Sequence, residues 1–245
     1  MTNLTNLYLI RHGEANVNVQ PIIGGMQGDT GLTERGIYQA ECLRDRLAAT
    51  QEIEADILIS SSLPRAVQTA EIIAPALNLP IALDDEVQEM RVGEADGMHI
   101  KDMWEQFGAA DFKENPFRPI APGAENWGQF MLRVGTALYR ITHEHQGKTV
   151  VIVCHGGFID GSFVYFMGMG TLALPTIGFY TLNTALTHWQ QRSLTEPPIW
   201  RLMSYNDVGH LRWHDVAKPD GIRWEKSNTD NTHQAVPLPG SDEEP

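Results

Sequence analysis

The run Leu7-Tyr8-Leu9-Ile10-Arg11-His12-Gly13 is short, apolar and ended abruptly by a cation, an imidazole and a glycine. Such a run predicts a buried strand that opens at its end into a tight turn. Thr149-Val150-Val151-Ile152-Val153-Cys154 repeats the pattern more strongly and stops at His155-Gly156-Gly157. Working outward, strands are expected at Asp56 to Ser60 and near Pro80 to Leu83. A closing group is expected at Phe179 to Leu182, Ala185 to Trp189 and Ile199 to Tyr205. Helices are expected between them. Thr33 is a candidate N-cap for one whose buried face is Ile37, Ala40, Leu43 and Leu47. Ser61-Ser62-Leu63-Pro64 offers hydroxyl caps and a first-turn proline to a second, with Val67, Ala70, Ile73 and Leu77 inward. Phe130, Val134, Leu138 and Ile141 mark a third. Strands alternating with helices predict an α/β fold, a three-layer αβα sandwich with a mainly parallel central sheet and helices on both faces.

The chain has 245 residues, 42% of them hydrophobic, with 18 Lys+Arg against 31 Asp+Glu and a formal net charge of −13. One large domain over residues 1–224 is expected, with an inserted helix and loop at 98–127. A polar acidic tail follows at 225–245. The acidic balance disfavours a nucleic-acid partner, because no basic patch offsets it. The two cysteines, Cys42 and Cys154, lie far apart and form no Cys-x-x-Cys pair, so neither a disulfide scaffold nor a zinc ribbon is expected. No basic segment precedes the first apolar run and no stretch is long enough to span a bilayer. A cytoplasmic chain with no membrane association is therefore expected.

In open α/β sheets ligands sit outside the carboxyl ends of the strands. If the two His-Gly strands are parallel and central, His12 and His155 emerge side by side, and the glycines admit a ligand to the backbone. Arg65 falls in the first turn of a helix behind a third strand end, Ser60, where it opposes the helix dipole. Two arginines, two histidines and a helix N-terminus on one spot make a pocket suited to phosphate or sulfate. Cys154 in an apolar strand reads as a small buried hydrophobe. His143 with His145, and His210 with His214, have too few companions for a metal site, so surface or capping roles are expected and no metal or cofactor is called for.

Leu9-Ile10-Arg11-His12-Gly13-Glu14-Ala15 resembles the Arg-His-Gly signature of the histidine phosphatase superfamily, the phosphoglycerate mutase-like group. The likeness continues through the blocks Gly28 to Gly36, Ser61 to Glu71, Glu86 to Gly97, Pro122 to Asn126, Val153 to Gly157 and Leu182 to Ala185, in the expected order. It implies that His12 is the nucleophile that becomes phosphohistidine. It also implies that Arg11, Arg65 and His155 bind the phosphoryl oxygens, with Asn18 and Gly156 supporting the phosphate. Glu89 is implied as the acid for the leaving alcohol and then the base for water. Each residue type suits its role, since imidazole is nucleophilic only when neutral and flanking arginines favour that form in an empty pocket. His155 is more useful as a cation, and a bound phosphate dianion would favour that state.

The chain departs from the phosphatase pattern at Ala95, where a Trp is common, and at Ala124, where a Gly is common, which leaves the shape of the lid open. The insert carries Lys101, Lys113 and Arg118 but lacks the adjacent arginine pair of resembling mutases. Its aromatics, Trp104, Phe107, Phe112 and Phe117, either pack the lid or face substrate. The resemblance thus favours a metal-independent phosphomonoesterase acting on a small phosphorylated metabolite. The alternatives are a phosphoglycerate-type mutase and a non-catalytic phospho-ligand module. A homodimer is left open.

Overall fold

A computed structural model describes residues 4–108, 112, 114–170, 178–192 and 198–212. The expected tail, Lys113 and His214 lie outside them. The strands are β1 (Asn6–Arg11), β2 (Ile57–Ser60), β3 (Ile81–Leu83), β4 (Thr149–Cys154), β5 (Leu186–Gln191) and β6 (Trp200–Asp207). They form a 6-stranded sheet in the order β3-β2-β4-β1-β5-β6. β1, β2, β3 and β4 pair in parallel, whereas β5 and β6 join antiparallel.

The helices are α1 (Asn16–Val19), α2 (Glu34–Thr50), α3 (Pro64–Leu77), α4 (Ile100–Phe107), α5 (Trp127–Glu144) and α6 (Gly156–Phe166). The chain runs from β1 through α2 to β2 and through α3 to β3 in one direction across the sheet, then returns through α5 to β4. Right-handed crossovers therefore put α2 and α3 on one face and α5 on the other. The two cores follow from strand alternation. Leu7, Leu9, Val150, Ile152 and Cys154 face Phe130, Val134, Leu138, Phe158 and Phe163 of α5 and α6. Ile10, Leu58, Val151 and Val153 face Leu43, Leu47, Ala66, Ala70 and Ile73 of α2 and α3. A strand buried on both sides must be apolar at every position, which is why β1 and β4 read so clearly.

Local signals set the helix starts. The Thr33 side chain accepts the Gly36 N–H at 3.0 Å, and Pro64 occupies the first position of α3. Asn126 and Gln129 form a reciprocal capping box at the start of α5.

Some expectations are corrected. Phe179 to Leu182 is not a strand: the two edges of β1 are taken by β4 and β5, and the Thr181 carbonyl serves the Arg11 side chain instead. Ile37 is 42% exposed, because the buried line of α2 runs through Gly36, Gln39, Ala40, Leu43 and Leu47. The serines before α3 do not cap it as side chains: its N-cap is Leu63, and Ser61 turns toward His155.

The insert has its own small core of Ile23, Val92, Ala95, Ile100, Met103, Ile120 and Ala121, with Trp104, Phe107 and Phe112 packed on it. Ala95 is fully buried there, and Phe117 is 58% exposed. Among the described residues no helix is long and apolar enough to cross a membrane.

Candidate active site

Register brings the two His-Gly turns together. Arg11 pairs with Cys154 across β1 and β4, and the His12 N–H donates to the Cys154 carbonyl at 3.0 Å. The imidazole rings of His12 and His155 then lie 5.2 Å apart, both buried.

At the end of β1, His12 Nδ1 is 2.7 Å from the Gly13 carbonyl, and Arg65 Nε donates to His12 Nε2 at 3.1 Å. A carbonyl can only accept and a guanidinium can only donate. Both partners therefore demand the same neutral tautomer, with the proton on Nδ1 and a lone pair on Nε2. Electrostatics agree: burial first, then Arg65 and Arg11, hold His12 well below the ordinary histidine value, and the Gly13 hydrogen bond opposes them more weakly. Arg65 is fixed in turn by Asp29, whose Oδ2 takes Nη1 at 2.8 Å and the Arg65 backbone N–H at 3.2 Å. The pair is buried, so losing either partner would strand a charge at a cost of about 3–5 kcal/mol. Asn183 donates to the His12 carbonyl at 2.9 Å and closes the turn from the other side.

At the end of β4, His155 Nε2 lies 2.8 Å from Ser61 Oγ. Ser61 Oγ also accepts the Leu63 N–H at 3.3 Å, and it keeps both a hydrogen and a second lone pair with which to meet His155. Burial, followed by Arg65, His12, Arg11 and Arg133, pushes His155 well below its ordinary value. These neighbours favour the neutral imidazole, whereas the cation is the form expected beside a bound phosphate dianion. Past His155 the chain enters α6, whose Gly157 N–H donates to Glu89 Oε2 at 3.0 Å. Glu89 Oε1 accepts the Met90 N–H at 3.0 Å. A Cβ at Gly157 would collide with the Glu89 carboxylate, so only glycine allows this approach.

Arg11 donates Nη1 to the Thr181 carbonyl. Its Nε, His155 Nδ1 and Asp160 Oδ1 are buried and have no hydrogen-bond partner among the described residues. Buried polar atoms are nearly always paired, and each orphan costs about 1–3 kcal/mol. Arg11 Nε is a donor, His155 Nδ1 is one whenever it carries a proton, and both residues flank His12, an arrangement that an anionic tetrahedral ligand would satisfy.

Of the residues expected in the site, the structure brings Arg11, His12, Arg65, Glu89, His155 and Gly156 together. A Cβ on Gly156 would stand 3.8 Å from Arg11 Nε. Asn18 sits on α1, where its side-chain oxygen accepts the Ala15 N–H at 3.0 Å. Cys154 is fully buried and burial pushes its thiol far up, which makes it inert. His143 stacks on Tyr139, and His210 bonds Thr184 at 2.9 Å.

The sequence assigned no place in the site to Asp29, Ser61, Arg133, Asp160 or Asn183. Asp29, Ser61 and Asn183 stood inside the matching blocks. Asp160 carried a signal of its own, a lone acid in the apolar helix Phe158-Ile159-Asp160-Gly161-Ser162-Phe163, one turn after Gly156. Burial and the neighbouring Glu89 raise Asp160 to about 8, with Arg11 opposing.

A strand-end imidazole with a fixed neutral tautomer, set among buried cations, makes a site suited to an anionic ligand. The chain matches the histidine phosphatase superfamily (branch 1) over residues 7–207, and it belongs to that superfamily. It is 28% identical over 214 residues to a metal-independent phosphoserine phosphatase from Arabidopsis thaliana, covering 86% of this chain and 84% of that one. It is equally 28% identical over 216 residues to a probable phosphoglycerate mutase from Citrobacter koseri, covering 85% and 95%. Among solved structures it resembles a phosphoserine phosphatase mutant from Entamoeba histolytica in complex with phosphoserine. That match has a TM-score of 0.66 at 25% identity, over 85% of this chain and 100% of the other.

Proposed function

We propose that the chain is a phosphomonoester hydrolase that works through a phosphohistidine on His12 and acts on a small phosphorylated metabolite. One observation carries the reading: the Nε2 lone pair of His12, fixed by the Gly13 carbonyl and Arg65, stands among the buried, unpartnered Arg11 Nε and His155 Nδ1. In the first step Nε2 attacks phosphorus, the bond to the leaving oxygen breaks, and Glu89 gives that oxygen its proton. Arg65 leaves Nε2 for the phosphoryl oxygens, with Arg11, His155, the Gly156 turn and the Asn18 amide around them. In the second step water attacks the phosphohistidine, Glu89 takes the water proton, and His12 departs with its lone pair restored. Phosphoryl transfer asks for little covalent work from the protein, so fixed charges and positioning supply the rate.

Hydrolysis is favoured over mutase activity by the insert. Its described cations are engaged elsewhere, Lys101 with Glu105 at 3.7 Å and Arg118 with the Phe107 carbonyl at 2.7 Å, so neither is held over the site to grip a second anionic group. Relatives named phosphoserine phosphatase make O-phosphoserine the first substrate to test. The test measures release of inorganic phosphate from O-phosphoserine, a panel of sugar and hydroxy-acid phosphates, and p-nitrophenyl phosphate, with and without chelator. Release that chelator leaves unchanged is expected. Isomerisation of phosphoglycerate without release would instead establish the mutase. No turnover of any ester would leave only a binding module, and a large loss with chelator would overturn the metal-independent reading.

A further inference from the structure

Arg133 projects from α5 into the segment that carries Glu89, and its side chain is only 5% exposed. A guanidinium has five N–H donors, and here every one is matched. Nε donates to Glu125 Oε1 at 2.7 Å, and Nη1 donates to the carbonyls of Glu86 and Gln88, each at 2.9 Å. Nη2 donates to the Glu89 carbonyl at 3.0 Å and to Glu125 Oε2 at 2.6 Å. Glu125 in turn holds the chain just beyond the acid, because its Oε2 accepts the Arg91 N–H at 2.9 Å and its backbone N–H reaches the Arg91 carbonyl at 2.9 Å. Neither anchor has slack. Arg133 lies between the fully buried Phe130 and Val134, and Glu125 immediately precedes the capping box of α5.

From these contacts we infer that Arg133, clamped by Glu125, is the positioning residue for Glu89. It gathers the carbonyls of residues 86, 88 and 89 around one planar fork, so the backbone of the acid takes its place from α5. Among the described residues the Glu89 carboxylate is then hydrogen-bonded only by the N–H groups of Met90 and Gly157. A lysine cannot reproduce the arrangement: its ammonium is a point donor, whereas the fork spans three carbonyls and a carboxylate. The same joint ties the return limb of the insert to the acid segment, where Val92 bridges Ala124 and the Glu94 N–H meets the Pro122 carbonyl at 2.9 Å.

The inference rests on Glu89 being the proton donor, and the test separates the two claims. An acid matters most for a poor leaving group and least for an activated one. The full chain and its Glu89→Gln, Arg133→Lys and Glu125→Gln variants are compared by kcat/KM on an alkyl phosphate and on p-nitrophenyl phosphate. The ratio of the two is read on one preparation, so any unfolded fraction cancels. Misplacement by about an ångström can cost on the order of a hundredfold. Arg133→Lys and Glu125→Gln are therefore expected to lower the alkyl-to-aryl ratio by roughly tenfold or more. Adding Arg133→Lys to Glu89→Gln should lower it no further. If Glu89→Gln lowers the ratio while Arg133→Lys and Glu125→Gln leave it at the wild-type value, the positioning role is overturned and the acid reading stands. If Glu89→Gln leaves the ratio unchanged, the acid reading falls and the inference falls with it.

Discussion

The ends of β1 and β4 are neighbours in register and nearly alike in sequence, yet they are wired in opposite senses. At β1 the chain leaves the strand through Gly13 into a loop, and the side chains do the work: His12 is locked by one carbonyl and one arginine, and Arg65 is locked by Asp29. At β4 the chain passes from His155 directly into α6, and the helix does the work. Its Gly157 N–H holds the Glu89 carboxylate, and its next turn carries Asp160. The loop end fixes the direction of a lone pair, and the helical end supplies an N–H donor and carboxyls. Two matching His-Gly turns thus make a nucleophile on one side and an anion-and-proton side on the other.

The most severe way to break this division is to exchange its histidines for inert side chains. Loss of a nucleophile commonly costs on the order of ten-thousand-fold or more, and loss of one oxyanion donor about a hundred- to a thousandfold. His12→Ala is therefore expected to abolish turnover, while His155→Gln keeps measurable kcat. Equal losses in a steady-state assay would mean the two ends are not specialised.

Gly157→Ala probes the helical end. The added Cβ drives the Glu89 carboxylate off its N–H donor, and a loss of roughly ten- to a hundredfold in kcat is expected, with KM little changed. An unaltered kcat would show that the Gly157 contact is incidental. Ser61→Ala is milder. It removes the hydrogen-bond partner of His155 Nε2, and a hydrogen bond of about 1 kcal/mol predicts a loss near fivefold, visible in kcat/KM.

The smallest effects are in stability against pH, where the two histidines and Asp160 should differ in sign. His12 and His155 are held below their ordinary value of about 6.5, so the unfolded chain binds more protons once the pH drops below that point. Stability should fall there by up to about 1.4 kcal/mol per pH unit for each histidine. Asp160 is raised to about 8, so the folded chain binds the extra proton between its ordinary range near 4 and about 8. Its contribution therefore falls as pH rises through that window. Thermal melts of wild type against Asp160→Asn should show the wild type losing ground from pH 5 to about 8 and levelling above it. A difference that is flat with pH would remove Asp160 from the carboxyl side.

Much of this wiring was legible in the residues, and the limits have a physical cause. β1 and β4 announce themselves because strands buried on both faces are apolar throughout, and both end where their His-Gly turns begin. Arg65 was visible through its place at a helix start, where the dipole disfavours it. What stayed hidden depends on partners distant in sequence. Asp29 meets Arg65 across 36 positions and Ser61 meets His155 across 94. Arg133 looks like any basic residue on a helix until the chain folds and brings the carbonyls of 86, 88 and 89 to it. The false strand at Phe179 to Leu182 has the same origin, since periodicity marks residues able to form a strand and says nothing of whether the sheet has a free edge for them.

The most direct measurement is to trap the protein-bound phosphoryl group by rapid quench from labelled substrate and to map its position. Label that is acid-labile, stable to alkali and carried on His12 is predicted, absent from His12→Ala and still formed, more slowly, by His155→Gln. Label that survives acid, or that persists in His12→Ala, would contradict the assignment of His12 as the nucleophile.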